Sequence, residues 1–334
     1  MLMPLMLLWG SLSVAWGSSG DADYHFRTCV RECAQDESHR QTQTRHDYYE
    51  WYLKHILQWD HLSECEYTCM RSISDSRVEQ NYPVLKYFGH WPYFRILGFQ
   101  EPASAIFSLC NALPHIYHLT FSRHRIADTF KSWVIAYGMM AIIAWSCSTV
   151  FHARKLSPTI LMDYVSALMF LICGLMVALR RTLHFYLFRS RPYMALLLIV
   201  GMSWVCLSRV YAMYHGRISF DNHMSFSIAV AVAQKAVWIM WLLVSARESR
   251  SHKLQCLYLQ LWFIAASMLE LFDFPPIFFH YDAHSLWHCA TIPLGHLWYQ
   301  FWFQDAVVLN KLEDGIHHKQ TMLNSCENEN EKKD

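Results

Sequence analysis

Seven apolar stretches, each about 20 residues long, constrain this chain more than any other feature of its sequence. A stretch of that length can cross the hydrocarbon core of a bilayer as one helix. Charged residues make up only 16% of the chain, against roughly 25% in a typical soluble protein. We therefore predict an all-α membrane protein, a seven-transmembrane helical bundle. The predicted spans are 102–121, 132–152, 159–179, 193–213, 224–245, 256–277 and 283–303.

The charge balance excludes another class of partner. The chain has 28 basic and 27 acidic residues, a net charge of +1. A chain with this balance has no bulk field that would attract nucleic acid. The lipid bilayer is the partner that the composition predicts.

The first 20 residues predict a secretory signal peptide. An apolar run is followed by small residues and then by a polar segment, although the usual basic start is missing. The alternative is a first transmembrane helix, for which the run is too short. Removal of the peptide would leave the new N-terminus in the lumen of the secretory pathway.

Residues 21–95 predict a small lumenal module held by disulfides. Four of the 11 cysteines lie here, as Cys29-x3-Cys33 and Cys65-x3-Cys69. Cysteines four residues apart share one face of a helix, so two antiparallel helices could be joined by two bridges. Antiparallel pairing favours Cys29–Cys69 with Cys33–Cys65, but four cysteines allow three connectivities. A zinc site is the alternative, which the oxidising lumen disfavours.

The basic residues of the short loops predict the orientation of the spans. The first, third and fifth loops hold 10 Lys and Arg residues, and the second, fourth and sixth hold three. Because basic loops stay in the cytosol, the N-terminal module is lumenal and the tail at 304–334 is cytosolic. The bundle at 96–303 is the predicted catalytic domain.

Polar residues converge on the lumenal end of this bundle. The second span ends in Ser148 and His152, the third carries Asp163 in its first turns, and the seventh opens with His284 and His288. All five fall at one membrane depth, where ionisable groups mark function. Three imidazoles with a fourth position open are the ligand set of a catalytic zinc.

This set predicts a hydrolytic site. Zinc would lower the pKa of a bound water, Asp163 could serve as general base and acid, and the Ser148 hydroxyl could donate to an oxyanion. The zinc-protease motif is rejected because Ser285 stands where that motif needs glutamate. Four further acidic residues at lumenal span ends are either partners around the site or ordinary interfacial residues: Glu101, Glu270, Asp273 and Asp282.

The same residues carry a family resemblance. Ser148-x3-His152, Asp163 and His284-x3-His288 resemble the signature of the CREST superfamily of seven-span membrane hydrolases. Within it, the chain from Cys29 to about Phe303 resembles the Per-one-like family. The motifs that carry this resemblance are the paired Cys-x3-Cys, Gly98-Phe-Gln-Glu-Pro-Ala-Ser104, Ser148-Thr-Val-Phe-His152, Asp273-Phe-Pro-Pro276 and Asp282-Ala-His284.

The resemblance implies a function in lipid remodelling. It implies phospholipase A2-type removal of the sn-2 acyl chain from the inositol phospholipid of GPI-anchored proteins, in the Golgi or the ER, with the Golgi favoured. It also implies that His152, His284 and His288 bind zinc, with Asp163 and Ser148 as catalytic partners.

Two other functions stay open. One is a non-enzymatic seven-span receptor, or a chaperone of GPI-anchored proteins, in which the histidines hold a structural metal. The other is a ceramidase-like amidase with the same site and a different lipid.

Overall fold

The computed structural model describes residues 18–36, 48–216, 218–245 and 250–331. Residues 1–17 of the predicted signal peptide lie outside this part of the chain. The described residues are helical, and their only strand-like pairings are three isolated bridges. Their α-helices are α1 (Tyr24–Gln35), α2 (Tyr48–His55), α3 (His61–Glu79), α4 (Pro102–Phe121), α5 (Asp128–Ala153), α6 (Ser157–Thr182), α7 (Tyr193–Tyr214), α8 (Phe220–Val244), α9 (Arg250–Phe272) and α10 (Ala283–Glu331).

The predicted all-α fold is confirmed, together with four apolar spans. Helices α5, α6 and α7, and α8 from Asn222 onward, are long and apolar enough to cross a membrane. They correspond to the predicted spans at 132–152, 159–179, 193–213 and 224–245. The other three predicted spans lie on α4, α9 and α10 and stay predictions.

The sixth predicted span, 256–277, extends too far. Helix α9 ends at Phe272, and the backbone of Asp273 turns to a positive φ of 33°. Pro275 and Pro276 follow, and a proline disfavours helical backbone at the residue before it. Helix α10 begins at the predicted residue, Ala283, and continues to Glu331, so that the predicted tail prolongs the last helix.

The described residues divide into two compact units, and the first contains the cysteine module. It comprises the residues up to Ala103, with His152–Lys155 and Phe272–Leu286. Helices α1 and α3 are joined by two bridges, Cys29–Cys69 and Cys33–Cys65, with Cα–Cα distances of 5.8 and 5.7 Å. The favoured pairing is therefore the one observed.

The second unit contains the remaining helical residues. It comprises Ser104–Phe151, Leu156–Leu271 and the chain from Trp287 onward. Buried aromatic side chains, among them Trp238 and Trp241, form its core. A buried ion pair crosses this core, because Arg181 contacts both carboxylate oxygens of Asp305 at 2.7 to 3.0 Å.

Candidate metal centre

His152 lies in the last turn of α5 and is held by a carboxylate. Its Nδ1 lies 2.6 Å from Glu101 Oε2, and both side chains are buried. The backbone N–H of Glu101 also donates to the carbonyl of His152 at 2.9 Å. A carboxylate on Nδ1 fixes the ring and leaves Nε2 as the nitrogen able to bind a metal.

A lysine holds Glu101 in turn, and a second histidine contacts that lysine. Lys155 Nζ lies 2.5 Å from Glu101 Oε1 and 2.8 Å from His90 Nδ1. Burial raises the pKa of Glu101, but Lys155 and His152 outweigh it and hold this pKa well below its usual range. Burial, with help from Lys155, lowers the pKa of His90 to about 4. His90 is therefore neutral at pH 7 and accepts a hydrogen bond from the lysine.

His284 lies in the first turn of α10, whose start is fixed by a cap. Asp282 Oδ1 accepts from the backbone N–H of Ser285 at 2.9 Å, and Tyr93 donates to Asp282 Oδ2 at 2.6 Å. His284 Nε2 consequently lies 3.4 Å from His152 Nε2. Two nitrogens bound tetrahedrally to one zinc at 2.0–2.1 Å stand about 3.3 Å apart, so this spacing would fit two ligands of one ion.

His288 follows one turn later and has a hydroxyl partner. Ser108 Oγ, on α4, lies 3.4 Å from His288 Nδ1 and 3.1 Å from Ser148 Oγ. The side-chain amide of Asn111 donates to the backbone carbonyl of His288 at 2.8 Å. With Ser108 beside Nδ1, Nε2 is the His288 nitrogen better placed to bind a metal.

The three histidines form one group. Each of His152, His284 and His288 offers one ring nitrogen, and these nitrogens all lie within 4.8 Å of one another, so that the group could hold a metal ion. Helix geometry explains part of this, because His284 and His288 share one face of α10. Ser148 and His152 likewise share one face of α5.

Three other predicted residues lie on α6, on α9 and just after α9. Asp163 is half-buried on α6, where its backbone carbonyl accepts from the Ser166 hydroxyl. Glu270 is exposed on α9. Asp273 is exposed as well and contacts Lys86 at 2.5 Å. The roles of Asp163, Glu270 and Asp273 at the site stay predictions.

Sequence reasoning missed four contributors to the centre: Ser108, Asn111, Lys155 and His90. The spacing of polar residues in α4 is a sequence pattern that could have identified Ser108 and Asn111. Its buried polar residues recur at intervals of four and three, which marks one helix face turned inward. This row consists of Ser104, Ser108, Asn111, His115 and His118. Lys155 and His90 belong to no such pattern, because they meet through a loop.

Fold and site together define a class, a helical multi-pass membrane protein with a three-histidine group able to hold a metal. A family model described as the Per1-like family matches residues 50–306, which is most of the chain. The chain belongs to the Per1-like family, as the sequence resemblance predicts.

Several relatives align along almost the whole chain. A Drosophila melanogaster protein, "Post-GPI attachment to proteins factor 3", is 31% identical over 309 residues, covering 90% of this chain and 93% of the relative. The Bos taurus and Homo sapiens proteins named "GPI-specific phospholipase A2-like PGAP3" are 30% and 29% identical, each covering 92% of this chain and 95% of the relative. No solved structure matches the chain significantly.

Proposed function

We propose that this chain remodels the lipid of GPI-anchored proteins by zinc-dependent, phospholipase A2-type hydrolysis of the sn-2 acyl ester. The observation that carries the proposal is the three-histidine group, with ring nitrogens within 4.8 Å of one another. The names of the relatives support the substrate, since they refer to GPI attachment and to a GPI-specific phospholipase A2.

The donor set suits zinc. It contains only imidazole nitrogens, which suit zinc better than calcium or magnesium because those ions prefer oxygen ligands. Glu101 and Ser108 engage the Nδ1 atoms of His152 and His288, which is the usual arrangement around metal-binding histidines. When bound, zinc would supply an activated water and polarise the ester carbonyl.

Three residues of the chain have the remaining proposed roles in the reaction. Ser148 Oγ lies 3.1 Å from Ser108 Oγ, and a hydrogen bond donated by Ser108 would leave the Ser148 hydroxyl to donate to the developing oxyanion. Asp163 takes a proton from the attacking water and delivers it to the leaving oxygen. Glu101 keeps His152 in one tautomer and one orientation throughout.

The proposed membrane arrangement has seven spans, with α4, α9 and α10 added to the four apolar helices. Its segments are a signal peptide at 1–20, a lumenal module at 21–95, a catalytic bundle at 96–303 and a cytosolic tail at 304–334. The three histidines then lie near the lumenal surface. An sn-2 ester lies at this depth, at the boundary between headgroups and acyl chains. The proposed compartment is the Golgi, which is favoured over the ER.

Fatty-acid release from purified protein in lipid nanodiscs tests the proposal. The substrates are a GPI lipid and a ceramide, and the variants are His288→Ala and Asp163→Asn, with exposed His124→Ala as a matched control. We expect release from the GPI lipid alone, abolished by the first two changes and retained in the control.

Three results would contradict the proposal. Consumption of ceramide instead of the GPI lipid would indicate an amidase. Full fatty-acid release by His288→Ala would contradict a catalytic metal site at the three histidines. A protein that binds GPI-anchored proteins without releasing fatty acid, and that unfolds when its metal is removed, would be a receptor or chaperone.

A further inference from the structure

Three tight turns of the first unit hold a large apolar residue in left-handed backbone. Phe88, Leu97 and Phe278 have φ angles of 50°, 54° and 52°. The turns are closed by the bridges Tyr87–His90, Ile96–Phe99 and Ile277–Tyr281. Asn and Gly are the residues that such backbone favours, whereas a bulky side chain is strained there.

These three side chains, the turn tips, are largely exposed, although the ring of Phe88 meets that of Phe26 edge to face, with centroids 6.0 Å apart. Phe88 is 53% exposed, Leu97 70% and Phe278 81%. Burial of an apolar side chain is what normally offsets such strain. These side chains would therefore be stabilised by an apolar environment outside the protein.

The backbone beneath one tip is fixed, so that its side chain stays outward. A Cβ added at Gly98 would lie 2.4 Å from a methyl carbon of Leu53 and 2.7 Å from one of Leu57. The indole N–H of Trp59 donates to the carbonyl of Gly98 at 2.9 Å. Leu97 immediately precedes this closely packed glycine, and its side chain lies on the exposed side of the turn.

The third turn is joined to the segment between the first two turns. The backbone N–H of Phe94 donates to the carbonyl of Phe279 at 3.0 Å, and their rings meet edge to face. The guanidinium of Arg71 lies against both rings, at 3.9 and 4.1 Å from their centroids. Lys86, beside the first turn, contacts Asp273, just before the third.

The chain positions two tips next to helix ends that the proposed function puts at the lumenal membrane surface. Leu97 lies five residues before α4 begins, and Phe278 lies between the end of α9 and the start of α10. Five extended residues reach about 17 Å at most. Lys86 and Trp91 flank the first turn, and such residues are common at membrane interfaces.

We propose that Phe88, Leu97 and Phe278 form a membrane-docking surface that enters the lumenal leaflet, with the acyl-chain boundary of phospholipids as its partner. The proposal rests on the seven-span topology given under the proposed function. It gives the lumenal unit a second attachment to lipid besides its covalent links to the spans.

Photolabelling from the bilayer tests this surface. The full-length protein is reconstituted in phosphatidylcholine nanodiscs that contain a phospholipid with a diazirine on its acyl chain, and labelled peptides are identified by mass spectrometry. We expect label on the three turns as well as on α5–α8, which are the internal positive control.

The matched variants separate lipid contact from folding. Asparagine tolerates left-handed backbone, so the triple variant Phe88→Asn, Leu97→Asn, Phe278→Asn should keep its unfolding midpoint while its turn peptides lose the label. Val78→Asn is the control, because Val78 is 47% exposed on α3 of the same unit. It should change neither quantity.

Three outcomes bear differently on the two proposals. Unlabelled turns beside labelled α5–α8 overturn the docking surface, whether or not the protein hydrolyses the GPI lipid. A lowered unfolding midpoint in the triple variant also overturns it, because the tips then pack within the protein or against another one. Labelled turns without hydrolysis leave the surface standing and remove only the proposed function.

Discussion

Replacing Glu101 by glutamine separates metal binding from folding at the histidine group. The side chain is 5% exposed and contacts both His152 Nδ1 and Lys155 Nζ. Glutamine keeps an oxygen that can accept from His152 but removes the negative charge. Lys155, whose side chain is only 8% exposed, then loses its ionic partner.

Two magnitudes follow from these contacts. Loss of a carboxylate behind a metal-binding histidine lowers metal affinity about 10- to 100-fold, which corresponds to about 1.4 to 2.7 kcal/mol. Removal of one partner from a buried ion pair destabilises a protein by about 3–5 kcal/mol. The double variant Glu101→Gln, Lys155→Met removes the unpaired charge, so it should recover stability without recovering metal affinity.

The assays are competition for zinc with a chelator and unfolding by denaturant. Glu64→Gln is the matched control, because Glu64 forms an ion pair with Arg95 at 2.8 Å in the same unit. Its zinc affinity should equal that of the unchanged protein. Equal zinc affinity in Glu101→Gln, together with loss of zinc in His152→Ala, would refute the orienting role of Glu101.

Three further perturbations test the units separately. Replacing Cys29 and Cys69 by serine opens a bridge between residues 40 positions apart, and unfolding by denaturant should show a loss of about 2–4 kcal/mol. Burial lowers the pKa of His90 from 6.5 to about 4, so the unfolded chain binds this proton at a higher pH than the folded chain. The resulting stability is complete above pH 6.5 and is lost as the pH falls toward 4, by about 3 kcal/mol, and His90→Gln should flatten this part of the pH profile. Asp305→Asn leaves Arg181 buried without its ionic partner, which should lower the free energy of unfolding by about 3–5 kcal/mol.

The Asp305 change has a matched control, and the other two have outcomes that would contradict them. Asp128→Asn changes a carboxylate that is 93% exposed beside Lys131, so it should alter stability by less than about 1 kcal/mol. If it matched the loss in Asp305→Asn, burial would not be the cause. Identical pH profiles with and without His90 would contradict its low pKa, and an unchanged midpoint after loss of the bridge would contradict its stabilising role.

The disulfides and the three histidines could be predicted because each depends on local spacing. Cys29 and Cys33 are one helical turn apart, as are His284 and His288, and a second helix with matching residues completes each group. Spacing of this kind is set by helix geometry alone, so it can be recognised in a sequence.

The supporting contacts could not be predicted in the same way. Lys155 and His90 meet at 2.8 Å through irregular backbone, which leaves no period in the sequence. The end of α9 was misplaced because hydrophobicity continues through Phe274 and Ile277, whereas the backbone of Pro275 and Pro276 cannot continue a helix. At these prolines the sequence stays apolar although the helix has already ended.

Zinc titration of activity tests the central claim most directly. Protein stripped of metal by a chelator is given increasing zinc, and bound zinc and fatty-acid release from a GPI lipid are measured on the same samples. Release should rise in proportion to bound zinc and level off at about one ion per chain, with no zinc-dependent release in His284→Ala. Undiminished release from the stripped protein would contradict the account.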